Sequence, residues 1–193
     1  MKRQTREEWL HKAIAILKSG VFKRNGFKIP KIKVSVGFPG GGSARKRIGE
    51  HWSPEASTDK VGSIFISPTL GKVDVVLATL VHELVHASVG NKVGHGVQFK
   101  RCATAVGLVG KMRSTEAGPE LKKELKKLAK KIGKYPHAEL KLGKGPTKKQ
   151  TTRMVKMSCS DCGYIVRASM SAILNFGPVL CPCNHEPMKL GAK

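Results

Sequence analysis

The chain has 193 residues, enough for one domain with a substantial core and a smaller module, since domains commonly run about 100 to 150 residues. It carries 36 lysines and arginines against 13 aspartates and glutamates, a formal charge of +23 on an ordinary 40% hydrophobic content. So large an excess exceeds what solubility needs and makes a polyanion the leading partner, nucleic acid first, with an anionic membrane or an acidic protein behind it. No run approaches the roughly 18 consecutive apolar residues of a spanning helix.

The opening MKRQTREEWLHKAIAILKSG shows no secretory cleavage pattern. The expected setting is therefore reducing, cytoplasmic or at the nucleoid or nucleus, and not secreted. Within that opening, Trp9, Ala13, Ile14, Ile16 and Leu17 predict an amphipathic helix that stops near Gly20. Residues 31–37 alternate Ile32, Val34 and Val36 with lysine or serine, the period of a half-buried strand, and FPGGGS breaks it. Arg45, Lys46 and Arg47 follow three glycines, which lets backbone and charge approach phosphate together. Residues 51–53 and 63–67 are two further short strand candidates.

Residues 73–89 are apolar on nearly every face, predict a buried helix closed by Gly90, and are interrupted in the middle by His82, Glu83 and His86. Another helix is expected over 97–106. From Gly118 the composition shifts: Pro119 suits a first helical position, and Leu121, Leu125, Leu128 and Ile132 recur at helical spacing. Lys122, Lys123, Lys126, Lys127, Lys130 and Lys131 form the opposite, solvated face, and Gly133 closes the segment. Residues 111–156 hold 15 lysines and arginines against 4 glutamates, nearly half the net charge, and 143–152 read as a flexible linker.

In HELVH, His82 and His86 lie four residues apart and project from one helical face, so both imidazoles can reach one ion. A hydrolytic zinc takes three protein ligands and keeps a position for water, and Glu83, beside the first ligand, is suited to take a proton from that water. His95, flanked by Gly94 and Gly96 in a loop that can turn back, is the best third ligand. The competing interpretation has His82 and His86 as hydrogen-bonded core residues with Glu83 reaching solvent. It leaves three polar groups to be satisfied inside an apolar helix. No motif identifies a residue that would stabilise the oxyanion; Tyr135 and His137 have only their residue type to recommend them.

SIFISPTL, then VLATLVHELVHA, then GHGVQFKRCA resemble the SprT-like metallopeptidase family, which includes the Spartan proteases. The resemblance spans roughly residues 5–115, and His82, Glu83, His86 and His95 match the family's motif residues one by one. It implies a zincin-like metallopeptidase domain with the HExxH helix packed on a small sheet, and proteolysis of DNA-bound proteins, covalent DNA-protein crosslinks included. The stretch between His86 and His95 is short beside some Spartan-type relatives.

Cys159, Cys162, Cys181 and Cys183 form C-x2-C-x18-C-x-C, close to the spacing of a zinc ribbon. One residue between the second pair makes a tight chelate, so His185 is the alternative to Cys183 as fourth ligand. Residues 155–157, 164–167 and 188–190 would supply the short strands, and a redox CxxC pair is the rival interpretation. Cys102 stands alone and is expected to be a small buried residue. Trp52, Tyr164 and Phe176 suit stacking on unpaired bases but are expected to pack in cores.

The expectation is an α+β protein in three parts: a metallopeptidase domain over 1–115, a basic helix and linker over 116–152, and a nucleic-acid-binding zinc ribbon over 153–193. It holds two Zn2+ ions, one catalytic and one structural, and acts as a monomer on DNA without reading sequence. The competing functions are a non-catalytic zinc adaptor on nucleic acid and a general metallopeptidase indifferent to DNA.

Overall fold

Thr5 opens the first helix, α1 (Arg6–Leu17), with a reciprocal cap in which its hydroxyl accepts the Glu8 N–H and the Glu8 carboxylate accepts the Thr5 N–H. The chain does not stop at Gly20. It widens into one π-helical turn over Lys18–Phe22, kinked at Gly20 (φ −96°, ψ −106°), and so carries Val21 and Phe22 into the core. The computed structural model describes residues 4–40, 47–142 and 154–191 and falls into two compact units, Met1–Leu142 and Gly143–Lys193. Arg45, Lys46 and the 143–152 linker lie outside the described residues.

The first unit is built on a three-stranded sheet of β1 (Ile32–Val36), β2 (Gly49–Trp52) and β3 (Gly62–Ile66). The spatial order is β1-β3-β2, with β1 parallel and β2 antiparallel to β3. Strand alternation turns Ile32, Val34, Ile64 and Ile66 to one face. Against that sheet packs α2 (Val73–Val89), which buries Val76, Leu77, Leu80, Val81, Leu84 and Val85. Each such side chain contributes roughly 1.5–3 kcal/mol on burial, which is why the helix tolerates three polar residues among them. Gly90 ends it in a left-handed conformation (φ 84°).

A tight loop leads to α3 (Val97–Ala105), which buries Phe99, Cys102 and Ala103. A hairpin that the sequence does not announce follows, β4 (Leu108–Lys111) and β5 (Ser114–Ala117), joined by a two-residue turn at Met112 and Arg113. The basic segment set apart by composition belongs structurally to this first unit. Its helix, α4 (Pro119–Ile132), buries Leu121, Leu125 and Leu128 against α1 and α2 and leaves all six lysines exposed. Trp9 fixes the helix end by donating its indole N–H to the Gly133 carbonyl at 2.8 Å.

The second unit is a small antiparallel sheet, β7-β6-β8, from β6 (Met154–Ser158), β7 (Ile165–Ser169) and β8 (Lys189–Leu190), with one short helix, α5 (Met170–Phe176). Its core among the described residues is Met157, Cys159, Cys181 and Met188, with partly buried Val166, Ala168, Ile173 and Val179 packed against it. The described chain is thus mixed α and β with small sheets, and none of its described helices is long and apolar enough to cross a membrane.

Candidate metal centres

The apolar positions of α2 face the core on both sides of the HELVH segment, which leaves His82 and His86 half-buried, one turn apart, on the same edge. The loop after Gly90 brings His95 back beneath them. His95 Nε2 lies 3.3 Å from His82 Nε2 and 3.2 Å from His86 Nε2. Three nitrogens held on one zinc at about 2.0–2.1 Å with tetrahedral angles would stand roughly 3.3–3.4 Å apart, so the donor set fits that ion. Phe99 of α3 backs all three rings, with centroids 4.5–5.0 Å away.

Burial, with help from His95, pushes the His82 pKa down to about 4, and burial takes His86 to about 3. His95 is lowered too, by burial and then by the charge of Arg113. All three are therefore neutral near pH 7, the state in which imidazole is a ligand. One Nε2–H of His95 can serve only one of its two neighbours well, whereas a cation takes the lone pairs of all three nitrogens at once. With His82 Nε2 turned inward, its Nδ1 meets Thr115 Oγ1 of β5 at 2.8 Å, a hydrogen bond that holds the ring's orientation and in which the hydroxyl can accept the Nδ1–H. His86 Nδ1 is buried with no protein partner among the described residues.

Glu83 is only 5% exposed and lies beneath β2, where a Cβ added to Gly49 would stand 2.6 Å from its Oε1. That strand position therefore needs glycine for close approach. Burial, followed by the nearby charge of Glu50, pushes the Glu83 pKa up to about 8; Arg47 and the His51 backbone amide act weakly in the other direction. A carboxyl so placed can take up and return a proton near neutrality. It shares with the histidines an open cleft of about 490 Å3, walled by β2 on one side and by Arg113, Ser114 and Thr115 on the other.

Asn91 and His51 were missed by the sequence reading. The Asn91 side chain accepts the His51 Nδ1–H at 2.8 Å and donates to the His51 carbonyl at 2.9 Å, which staples the loop carrying His95 to β2. Tyr135 and His137 are not at the cleft: Tyr135 packs on Trp9 at 4.9 Å, and His137 Nε2 bonds the Pro68 carbonyl at 2.8 Å.

In the second unit, the turn after β6 and the loop before β8 bring four sulfurs together. Cys159 Sγ lies 3.7 Å from Cys183 Sγ, Cys162 Sγ 3.5 Å from Cys181 Sγ, and Cys181 Sγ 3.4 Å from Cys183 Sγ. A tetrahedral zinc with bonds of about 2.3 Å would set sulfurs roughly 3.8 Å apart, so this group also fits a metal such as zinc. His185 is outside the cluster; it adopts φ 57° and donates its backbone N–H to the Cys181 carbonyl. Backbone amides of Cys162 and Asp161 pull the Cys159 thiol down to about 7, whereas Cys183, crowded by Cys162 and Cys181, is pushed up. Four thiols at one point cannot all ionise without a cation.

Among the nucleic-acid candidates, Arg47 is ion-paired with Glu50, and Lys123 pairs with Glu120 at 2.8 Å. Lys122, Lys126, Lys127, Lys130 and Lys131 make no ion pair among the described residues. The expected core packing of three aromatics fails: Trp52 is 46%, Tyr164 52% and Phe176 88% exposed, because each sits at a strand or helix end beyond its unit's core. Cys102 is buried, and burial pushes its thiol up to about 11. No family model matches this chain, and neither does a curated protein or a solved structure.

Proposed function

We propose that this chain is a zinc metallopeptidase of the HExxH type, that its first unit has a zincin-like fold, and that it cleaves proteins held on DNA. The observation that carries the enzyme reading is the convergence of His82 and His86 Nε2 on His95 Nε2, at 3.3 and 3.2 Å, beside a buried carboxyl in a cleft open to a polypeptide. A zinc ion bound there supplies a Lewis acid and a water acidic enough to ionise near neutral pH. His82, His86 and His95 hold it, and Thr115 and Asn91 keep two of those ligands in place. Glu83 takes the proton of the attacking water and returns it to the departing amine.

DNA as the setting is supported by the +23 charge, the lysine face of α4 and a second metal-fitting unit with exposed aromatic side chains. Cleavage of crosslinked protein is supported by the SprT-like resemblance of the HELVH and GHGVQF segments. The cysteine cluster is the ribbon's structural zinc site in this reading, and recognition is independent of sequence.

The test is proteolysis of a DNA-binding protein with no DNA, single-stranded DNA and duplex DNA. Cleavage should require DNA, and Glu83→Gln should keep two zinc ions per chain while losing roughly 10²- to 10⁴-fold in rate. Equal cleavage by the Gln variant sinks the role of Glu83; cleavage indifferent to DNA sinks the localisation; a single zinc in the cysteine unit favours a non-catalytic adaptor.

A further inference from the structure

Arg47 and Arg113 both border the histidine cleft, but only one is neutralised. Arg47 pairs with Glu50, whereas Arg113 has no carboxylate within ion-pair distance among the described residues. The guanidinium of Arg113 stands close enough to His95 to be felt there as charge. A cation beside three ligands of another cation subtracts from metal affinity, and a half-enclosed cleft screens that repulsion less than bulk water does. Such a placement is favourable only when negative charge occupies the cleft at some stage.

The mounting of Arg113 is specific. It sits at the turn of the β4–β5 hairpin, whose base is anchored by buried Leu108 and Ala117, and it lies two residues before Thr115, which orients His82. Arg113 and Thr115 both line the cleft, so the hairpin that sets the first ligand also carries this guanidinium to it. The chemistry of peptide hydrolysis needs a donor there. Neither Tyr135 nor His137 lies at the cleft to serve.

We propose that Arg113 is a catalytic residue that stabilises the oxyanion of the substrate, an inference that rests on the hydrolytic reading of the cleft. As water adds to the scissile carbonyl carbon, the C=O π pair moves onto oxygen and Glu83 takes the water proton. The Arg113 N–H groups donate to that oxygen without transferring a proton. When the pair returns, the C–N bond breaks and the proton on Glu83 passes to the departing amine.

The experiment compares wild type, Arg113→Ala, Arg113→Lys and Glu83→Gln on a DNA-bound protein substrate, with kcat and KM separated and zinc affinity of the histidine centre measured beside them. Removing one oxyanion donor should cost about 10²- to 10³-fold in kcat with KM little changed. Arg113→Lys, which keeps the charge but not the fork, should recover part of that loss. Zinc affinity in Arg113→Ala should hold or rise, because a repelling charge has gone. Wild-type kcat in Arg113→Ala overturns the proposal, as does a raised KM with kcat intact, which marks a binding role, or lost zinc affinity, which marks a structural one. If wild type and Glu83→Gln are equally inactive, the hydrolytic reading falls and Arg113 with it; an active Arg113→Ala beside an inactive Glu83→Gln defeats Arg113 alone.

Discussion

Glu83 is the residue at which stability and proposed chemistry conflict most directly. Its folded pKa, about 8, lies above the ordinary value of 4.5. For an acid so raised, the folded state gains fully below pH 4.5 and loses that advantage as pH climbs through 8. In metal-free protein the loss is on the order of 4 to 5 kcal/mol as an upper bound, since each pKa unit is worth about 1.4 kcal/mol. His82 and His86 work in the opposite sense. Their pKa values are lowered, so their contribution is present above 6.5 and disappears as pH falls toward 4 and 3. Metal-free wild type should therefore be most stable at about pH 6.5, where the rise contributed by the two histidines gives way to the fall contributed by Glu83, and lose stability on both sides. Glu83→Gln should flatten the alkaline arm, leave the acid arm, and melt above wild type at pH 8.5. Trp9 and Trp52, the only two tryptophans, both lie in the first unit, so their fluorescence during thermal unfolding reads that unit alone. Matching alkaline arms in the two proteins would show that the buried carboxyl is not the source.

Legibility followed the length and contrast of each element. The helix of residues 73–89 could be placed because seventeen apolar-rich residues end at a glycine, and HELVH put two candidate ligands on one helical face by spacing alone. α4 was equally plain, since leucines and lysines segregate cleanly to opposite faces. The β4–β5 hairpin was not, because its strands are four residues each, mostly exposed, and bury only Leu108 and Ala117. Arg113 and Thr115 were invisible for that reason, the bond from Thr115 to His82 spanning 33 positions. The Asn91–His51 staple spans 40, and only the pairing order of the sheet brings its ends together. That staple makes a prediction about the loop. If it holds His95 against the end of α2, Asn91→Ala should weaken zinc at the histidine centre, by less than the roughly 10- to 100-fold that follows loss of a side chain bonded directly to a ligand. Asn91→Asp keeps the acceptor for His51 Nδ1 and should lose less. Competition with a chromophoric chelator measures both, with the cysteine centre as internal reference; an unchanged affinity in Asn91→Ala would show that the loop holds itself.

At the scale of the whole molecule the charge is distributed unevenly, and the fold gives a physical reason. The leucine face of α4 is committed to the core of the first unit, so its lysines cannot be buried without breaking α1–α4 packing. Held on a rigid helix at spacings of three and four residues, Lys126, Lys127, Lys130 and Lys131 form a fixed array that, on the proposed reading, would meet a phosphate backbone at less entropy loss than a mobile tail. Replacing these four by glutamine should leave folding almost untouched, since exposed substitutions usually stay within about 0.5 kcal/mol. It should weaken duplex and single-stranded DNA of any sequence alike. Binding measured across a salt series separates this from a loss of shape: each phosphate contact contributes about 0.9 to the slope of log affinity against log salt on duplex, so the quadruple variant should flatten it by up to roughly 3 to 4. A slope that stays at the wild-type value, with zinc content intact, would move the DNA contact off α4. It would then fall to the second unit, whose Tyr164 and Phe176 are exposed and whose binding would depend on stacking more than on salt.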